Sequence, residues 1–358
     1  MPKILFIAAH RKDRSPSQRF RFEQYISYLE SNSFQCELSN LLSEKDDKIV
    51  YSKGKILHKT YILFKTFFKR ILDFFKSFNV DVIFIQREAF MLGTPFFERL
   101  FKLSGAKIIF DFDDAIWKVD TSTANKNFEW LKSGEKTSSI IKLSNLVIAG
   151  NKFLEDYAKK HNQNTFIIPT TIDLGQYQKI AQQKDKVVIG WSGSITTIKH
   201  FSHILNVLKA VHHKFKNNID FCVIGDGNYR NDDLNIIGKS WNKEDEIIEL
   251  SKFDIGIMPL PNDEWAKGKC GLKGLQYMAL QIPTIMSPVG VNTEIIQHGE
   301  NGFLADTEED WINYLSLLIE NPELRKTIGE NARKTVEDKY SVEANKHLYL
   351  QAIQQVLK

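Results

Sequence analysis

The chain carries only three cysteines in 358 residues, Cys36, Cys222 and Cys270, far apart and with no CxxC pair. That excludes a disulfide framework, speaks against a structural zinc site, and fits a reducing compartment. Long apolar runs are missing too: nothing approaches the roughly 20 uninterrupted apolar residues needed to span a bilayer. Met-Pro-Lys followed by Ile4–Ala9 is too short an apolar run for a signal peptide. A cytoplasmic location is therefore expected, with peripheral attachment to the inner face of a membrane as its variant. A large charge imbalance is also lacking. With 48 basic and 44 acidic residues the net charge is +4, which gives no chain-wide nucleic-acid footprint. Its basic character is local: between Tyr51 and Val80 stand seven basic residues and one acid, Asp73.

What is present is ordinary globular composition, 42% hydrophobic and 26% charged, in a chain long enough for two domains. Short β-rich runs recur at Ile4–Ala9, Val82–Ile85, Lys107–Phe112, Leu146–Ala149 and Thr165–Ile168. A second series follows at Val187–Trp191, Asp220–Ile224, Leu234–Ile237, Asp254–Met258, Pro283–Met286 and Gly302–Leu304. Helically spaced apolar residues lie between most of them, which predicts an α/β protein with parallel sheets. The pattern stops between the two series, where Pro169-Thr-Thr-Ile-Asp173 leads into a polar stretch. The expected division is a first domain over 1–168, a linker over 169–186, a second domain over 187–338 and a terminal helix over 339–358. Ligands of such sheets sit beyond the carboxyl ends of the strands, so candidate chemistry is sought just after each run.

After Val187–Trp191 come Ser192, Gly193 and Ser194, then Lys199 at the start of a helical pattern. A strand, a turn of small residues and a helix start make an anion-binding arrangement, because N–H groups are uncovered where the helix dipole is positive. A capped turn with a solvated lysine reads equally well. Further on, a strand ending at Pro259 is followed by Lys267, Lys269, Cys270, Gly271, Leu272 and Lys273, with a helix expected to begin near Gly271. Lysines at a helix N-terminus oppose the dipole, and a bound diphosphate would remove that conflict. The alternative is a solvated basic loop.

This segment resembles the donor-site signature of the retaining GT-B glycosyltransferases of family GT4, the glycosyltransferase group 1 domain. Their E-G-F-G-L-x-x-x-E-A-M-A-x-G-x-P pattern, laid on the chain without gaps, matches Gly271, Leu272, Met278, Ala279 and Pro283. Ile224-Gly-Asp-Gly227 is similar to the family's I-G-D-G turn, and Ile168–Asp173 to its P-x-x-x-D linker. The resemblance implies two facing Rossmann-like domains, with the C-terminal helix crossing back to the first. It implies a nucleotide-sugar donor held by Gly193, Ser194, Lys269, Cys270, Gly271, Leu272 and Gln276, with Lys199 and Lys273 as catalytic cations on the diphosphate. The family's first glutamate falls on Gly268, its second on Gln276, and its arginine turn reads Gly193-Ser194. Gln276 keeps an amide for the ribose hydroxyls, and lysines replace the missing positive charge, so no metal or other cofactor is required.

In the N-terminal half, Arg19 and Arg21 follow the first strand and offer planar forks to an anionic or hydroxyl-rich acceptor. They suit pairing at a helix start equally well. Asp111, Asp113 and Asp114 crowd after another strand and need partners or a role. Asp113 falls closest to the family histidine that contacts the donor sugar, which makes it the third catalytic candidate; capping of the next turn is the competing reading.

The basic segment 53–78 has Leu57, Tyr61, Phe64, Phe68, Ile71, Phe75 and Phe78 stepping by four and three. Either that stripe packs on the first sheet with its lysines in water, or it meets an anionic membrane surface. The function implied is transfer of a hexose-type sugar from a nucleotide-diphosphate sugar to a glycan or lipid-linked acceptor in cell-surface polysaccharide or glycoconjugate synthesis, with retention. Its alternative is a non-catalytic GT-B subunit that binds a nucleotide sugar or glycan.

Overall fold

The computed structural model describes residues 1–52, 54–118, 134–181 and 185–358. Its contacts divide the chain into two units, one of Met1–Thr170 with Asn345–Lys358, the other Thr171–Ala344. The first holds a parallel sheet of β1 (Lys3–Ala8), β2 (Gln35–Asn40), β3 (Val82–Gln86), β4 (Lys107–Phe112), β5 (Leu146–Ala149) and β6 (Thr165–Ile167), ordered β2-β1-β3-β4-β5-β6. Strands β3 and β5 are buried at every residue, as the apolar runs require of a sheet covered on both faces. Strand β2 has no counterpart among the predicted runs. It lies at the sheet edge, pairs only with β1, and reads Gln-Cys-Glu-Leu-Ser-Asn, so no apolar run announces it.

The second unit holds β7 (Val187–Ser192), β8 (Ile219–Ile224), β11 (Ile255–Met258), β12 (Thr284–Met286) and β13 (Phe303–Leu304), all parallel and ordered β13-β12-β11-β7-β8. The run at Leu234–Ile237 shortens to a two-residue strand β10 (Ile236–Ile237), paired antiparallel with β9 (Arg230–Asn231). The strand order reverses between β1 and β3 in the first sheet and between β7 and β11 in the second. Loops leaving the carboxyl ends of these neighbours diverge, and the gap between them receives ligands in open α/β sheets.

Thr171 onward clusters with the second unit, and Tyr177 is buried there with its hydroxyl donated to Glu246. Residues 182–184 of that stretch lie outside the described residues. The helix Val342–Leu357 spans the second boundary, since Asn345–Lys358 belongs to the first unit. There Tyr349 stacks on Tyr25 with centroids 4.2 Å apart.

The basic segment forms the helix Ile56–Ser77, with Lys53 outside the described residues, and it reverses the face expected to pack. The residues turned inward are Ile62, Thr66, Arg70, Asp73 and Ser77, whereas Leu57, Tyr61, Phe64, Phe68, Phe75 and Phe78 are exposed. Arg70 explains the reversal. Its fully buried guanidinium meets Asp73 at 2.6 Å and the Ser39 hydroxyl at 3.1 Å, and donates to the carbonyls of Ala8 at 2.8 Å and Ala89 at 2.6 Å. It thereby supplies a donor to the Ala89 carbonyl and a second one to the Ala8 carbonyl, which also accepts from the Leu41 N–H, at the carboxyl edge of the sheet.

Replacing Arg70 with Met leaves the buried Asp73 carboxylate with the Ser39 hydroxyl but no counter-charge, and takes the Arg70 donor from the Ala89 carbonyl. The expected loss is about 3–5 kcal/mol of stability, read from urea unfolding, because one member of a buried pair is removed. A Leu57→Ser change on the exposed face should leave the unfolding midpoint nearly unchanged.

Candidate active site

The second unit's switch point is built from the ends of β7 and β11. Gly193 follows β7, and its N–H donates to the Ile224 carbonyl at the end of β8. The Gly193 carbonyl in turn lies against Gly225, where a Cβ would stand 2.2 Å from that oxygen and where φ is +127°. The I-G-D-G turn is thus a close approach of two backbones that only glycine permits. Ser194 donates its N–H to the Thr197 hydroxyl at 2.9 Å. Both amides expected to receive phosphate are therefore committed within the turn, and what Gly193 and Ser194 present at this edge is the exposed Ser194 hydroxyl.

On the other side of the switch point, Glu264–Lys267 forms a helical turn capped by Asp263, so Lys267 is not in an open loop. Gly271 then adopts φ +71° and caps the helix Leu272–Ala279. A Cβ on Gly271 would meet only the tip of the Ile295 side chain, at 2.3 Å, so it is the backbone conformation that favours glycine. The first-turn amides of Leu272, Lys273 and Gly274 have no partners within their own helix. Lys273 lies over the Trp191 ring at 5.8 Å and Lys269 over Trp265 at 4.8 Å. Cys270 is buried with its thiol toward the Gly268 carbonyl, which suits packing rather than chemistry.

His200 shows how closely the cations gather. It is 3% exposed, and its Nδ1 has no hydrogen-bond partner among the described residues. Burial pushes this imidazole down to about 4, and the charges of Lys273, Lys269 and Lys199 push the same way. Lys269 and Lys273 from one segment and Lys199 from another thus act on the same neutral histidine.

The scaffold beneath them is Tyr277, which sequence reasoning did not single out. Its buried hydroxyl accepts from the Ser192 N–H at 2.7 Å and lies 2.8 Å from the Ser192 hydroxyl. Burial raises its pKa far above the ordinary phenol value. Gln276 is 5% exposed and donates its amide to the Tyr177 hydroxyl at 2.6 Å and to Glu246 at 3.3 Å. Glu246 also accepts from Tyr177 at 3.0 Å and from the Trp241 indole at 2.9 Å. It lines a cleft with Ile224, Lys239, Ser240 and Asn242. Neither Tyr177 nor Glu246 carried a sequence signal, because their partners lie far away in the chain.

In the first unit the arginine expectations change. Arg21 is fully buried, meets Asp111 at 2.6 Å and donates to the Ile168 carbonyl, so its fork serves the interior rather than an acceptor. Asp111 is itself fully buried, and desolvation raises its pKa against the pull of Arg21. Arg19 is 8% exposed, with its guanidinium 4.9 Å from the Phe20 ring. Asp113 is held at 2.9 Å by Arg87, which also reaches Asp114 at 3.5 Å. Arg87 follows β3 at φ +63°, a left-handed conformation that non-glycine residues adopt only under local constraint. The acidic crowd is therefore accounted for by two arginines, and Arg87, which follows β3 at the first sheet's switch point, ties down Asp113 at the end of β4.

Two outcomes are expected. Tyr277→Phe leaves the Ser192 N–H and hydroxyl without their buried partner and should cost about 1–3 kcal/mol in urea unfolding. His200 titrates lower in the folded chain than unfolded, so its contribution is complete above the unfolded pKa and is lost as pH falls toward about 4. Between neutral pH and that value, wild type should lose more thermal stability than His200→Gln; parallel curves would show that His200 is not the titrating group.

Residues 173–335 match the family described as Glycosyl transferases group 1. The chain is 24% identical over 317 residues to an uncharacterized glycosyltransferase of Haemophilus influenzae, covering 83% of each. It is 24% identical over 236 residues to the capsular polysaccharide biosynthesis glycosyltransferase CapM of Staphylococcus aureus, covering 63% of this chain and 55% of that one. Among solved structures, Anabaena HepE in complex with UDP-glucose superposes with a TM-score of 0.65 at 13% identity, over 99% of both chains. The two parallel-sheet units are those of the GT-B fold. The chain thus carries, over residues 173–335, a stretch that matches the glycosyltransferase group 1 family, on that fold, and it is a glycosyltransferase.

Proposed function

We propose that this glycosyltransferase takes a nucleotide-diphosphate sugar and moves its hexose-type sugar to a glycan or lipid-linked acceptor in surface polysaccharide or glycoconjugate synthesis. The observation that carries this reading is the place of Lys273 in the first turn of the helix Leu272–Ala279, over the Trp191 ring of β7, with Lys269 just before that helix and Lys199 after the turn that follows β7. Positive charge and the positive end of the helix dipole there oppose the charge that develops on a departing nucleoside diphosphate. In the reaction the bond from the sugar's anomeric carbon to the diphosphate breaks with its electron pair on the phosphate oxygen. The acceptor hydroxyl oxygen bonds to that carbon, and its proton is released. The UDP-glucose complex of HepE and the capsular role in CapM's name support the donor class and the pathway class. The proposal includes retention of anomeric configuration, Asp113 and Arg87 as the first unit's contacts to sugar or acceptor, and lysines in place of a metal.

Thermal-shift screening against UDP-, GDP-, ADP- and dTDP-sugars identifies the donor, since a bound ligand raises apparent stability. With that donor, Lys199→Ala and Lys273→Ala should each lower turnover by about 10²–10³-fold without a change in circular dichroism. Near-normal turnover in both variants refutes the lysine assignment. Chelator treatment should leave the rate unchanged, and loss restored by a divalent ion would overturn the metal-free reading.

A further inference from the structure

The outward face of the helix Ile56–Ser77 is unlike the rest of the surface. Leu57, Tyr61, Phe64, Phe68, Leu72 and Phe75 lie along it and are between 59% and 84% exposed. At 22 residues the helix is about 33 Å long, so the stripe runs most of one side of the first unit. Phe96, 42% exposed, continues it through the stacked pair Phe67–Phe96 at 6.2 Å. Exposed apolar residues scattered singly need no partner, but a continuous stripe marks a contact surface.

The charges around the stripe say what it contacts. By helical spacing Lys65, Lys69 and Lys76 run along one margin, and Lys55 stands exposed at the N-cap. The helix's one carboxylate, Asp73, is buried against Arg70. The cores of protein–protein interfaces are poor in Lys, whereas an apolar face edged by lysines and lacking acids suits an anionic bilayer. Lys65 and Lys76 reach Asp46 and Glu37, but each lysine remains about half exposed. Ion pairs of that kind contribute little and exchange readily for lipid phosphates. The sheet-facing side needs no further partner, because Arg70 and Asp73 complete it.

We propose that this face is a docking surface for anionic phospholipid, its aromatic side chains entering the headgroup boundary and its marginal lysines meeting lipid phosphates. It fits an enzyme whose acceptor is presented at a membrane, yet it stands on the helix alone and is independent of the donor assignment.

The test is co-sedimentation of the full chain with vesicles of phosphatidylglycerol and phosphatidylcholine, against phosphatidylcholine alone, with analytical ultracentrifugation in parallel. Wild type should bind the anionic vesicles, and less so as salt is raised. The triple variant Phe64→Ser, Phe68→Ser, Phe75→Ser should bind at least about tenfold more weakly with its thermal midpoint retained. The pair Lys55→Glu, Lys69→Glu should lose about tenfold on anionic vesicles. Wild type that ignores anionic vesicles, or a triple variant that binds as wild type does, overturns the proposal. So does a wild-type dimer that the triple variant converts to monomer without any vesicle binding, which would assign the face to a second copy.

Discussion

The second unit is organised by a single hydroxyl. Tyr277 sits in the helix that carries Lys273, yet its phenol reaches the last residue of β7 and holds the N–H and the hydroxyl of Ser192. A helix packed on a sheet by apolar contacts alone can slide by fractions of an ångström, whereas a buried hydrogen bond fixes one position. The ring crosses β11 to get there: a Cβ on Gly256 would lie 2.4 Å from it, so glycine in mid-strand is the condition for the link. Gly274, whose Cβ would meet the Met286 side chain at 1.8 Å, lets the same helix lie close to β12. The glycine turn after β7 and the lysines before and within the helix are thus set in register by packing that never touches a ligand.

That division of labour explains what was legible in the sequence. Parallel sheets were readable because strands buried on both faces must be apolar throughout, as β3 and β5 are. That candidate residues would gather after β7 and β11 was readable because the loops there inherit the sheet's switch point, whatever side chains they carry. Less legible was how backbone groups would be used. The amides of Gly193 and Ser194 are taken by the Ile224 carbonyl and the Thr197 hydroxyl, and nothing in a short motif shows that competition. Arg21 looked like a ligand fork, but its partner Asp111 is 90 residues away.

The helix Ile56–Ser77 teaches the same point more sharply. Its periodicity gives an amphipathic helix but not which face turns inward. Burying the phenylalanines would be favourable by area alone, at about 25 cal/mol per Å². The inward choice falls instead on Thr66, Arg70, Asp73 and Ser77, since Arg70 meets the carbonyls of Ala8 and Ala89 and the hydroxyl of Ser39. Those acceptors come from β1, β2 and the loop after β3; the Ala8 carbonyl also accepts from Leu41, whereas losing the Arg70 bond to the Ala89 carbonyl would be costly. Polar satisfaction at the sheet's edge therefore decides the face, and the apolar stripe is left outside as a consequence.

At Gln276 the network limits what the side chain can do. Its amide nitrogen must face Glu246, because an amide oxygen there would oppose a carboxylate that already accepts from Tyr177 and Trp241. With the nitrogen committed to Tyr177 and Glu246, the amide's remaining polar atom is an acceptor. A carboxylate at this position would accept from ribose hydroxyls too, but it would sit against Glu246 and repel it. The two positions are therefore coupled: Glu246 makes a neutral side chain at 276 the stable choice, and on the proposed reading the neutral amide preserves the acceptor that a nucleotide ribose requires.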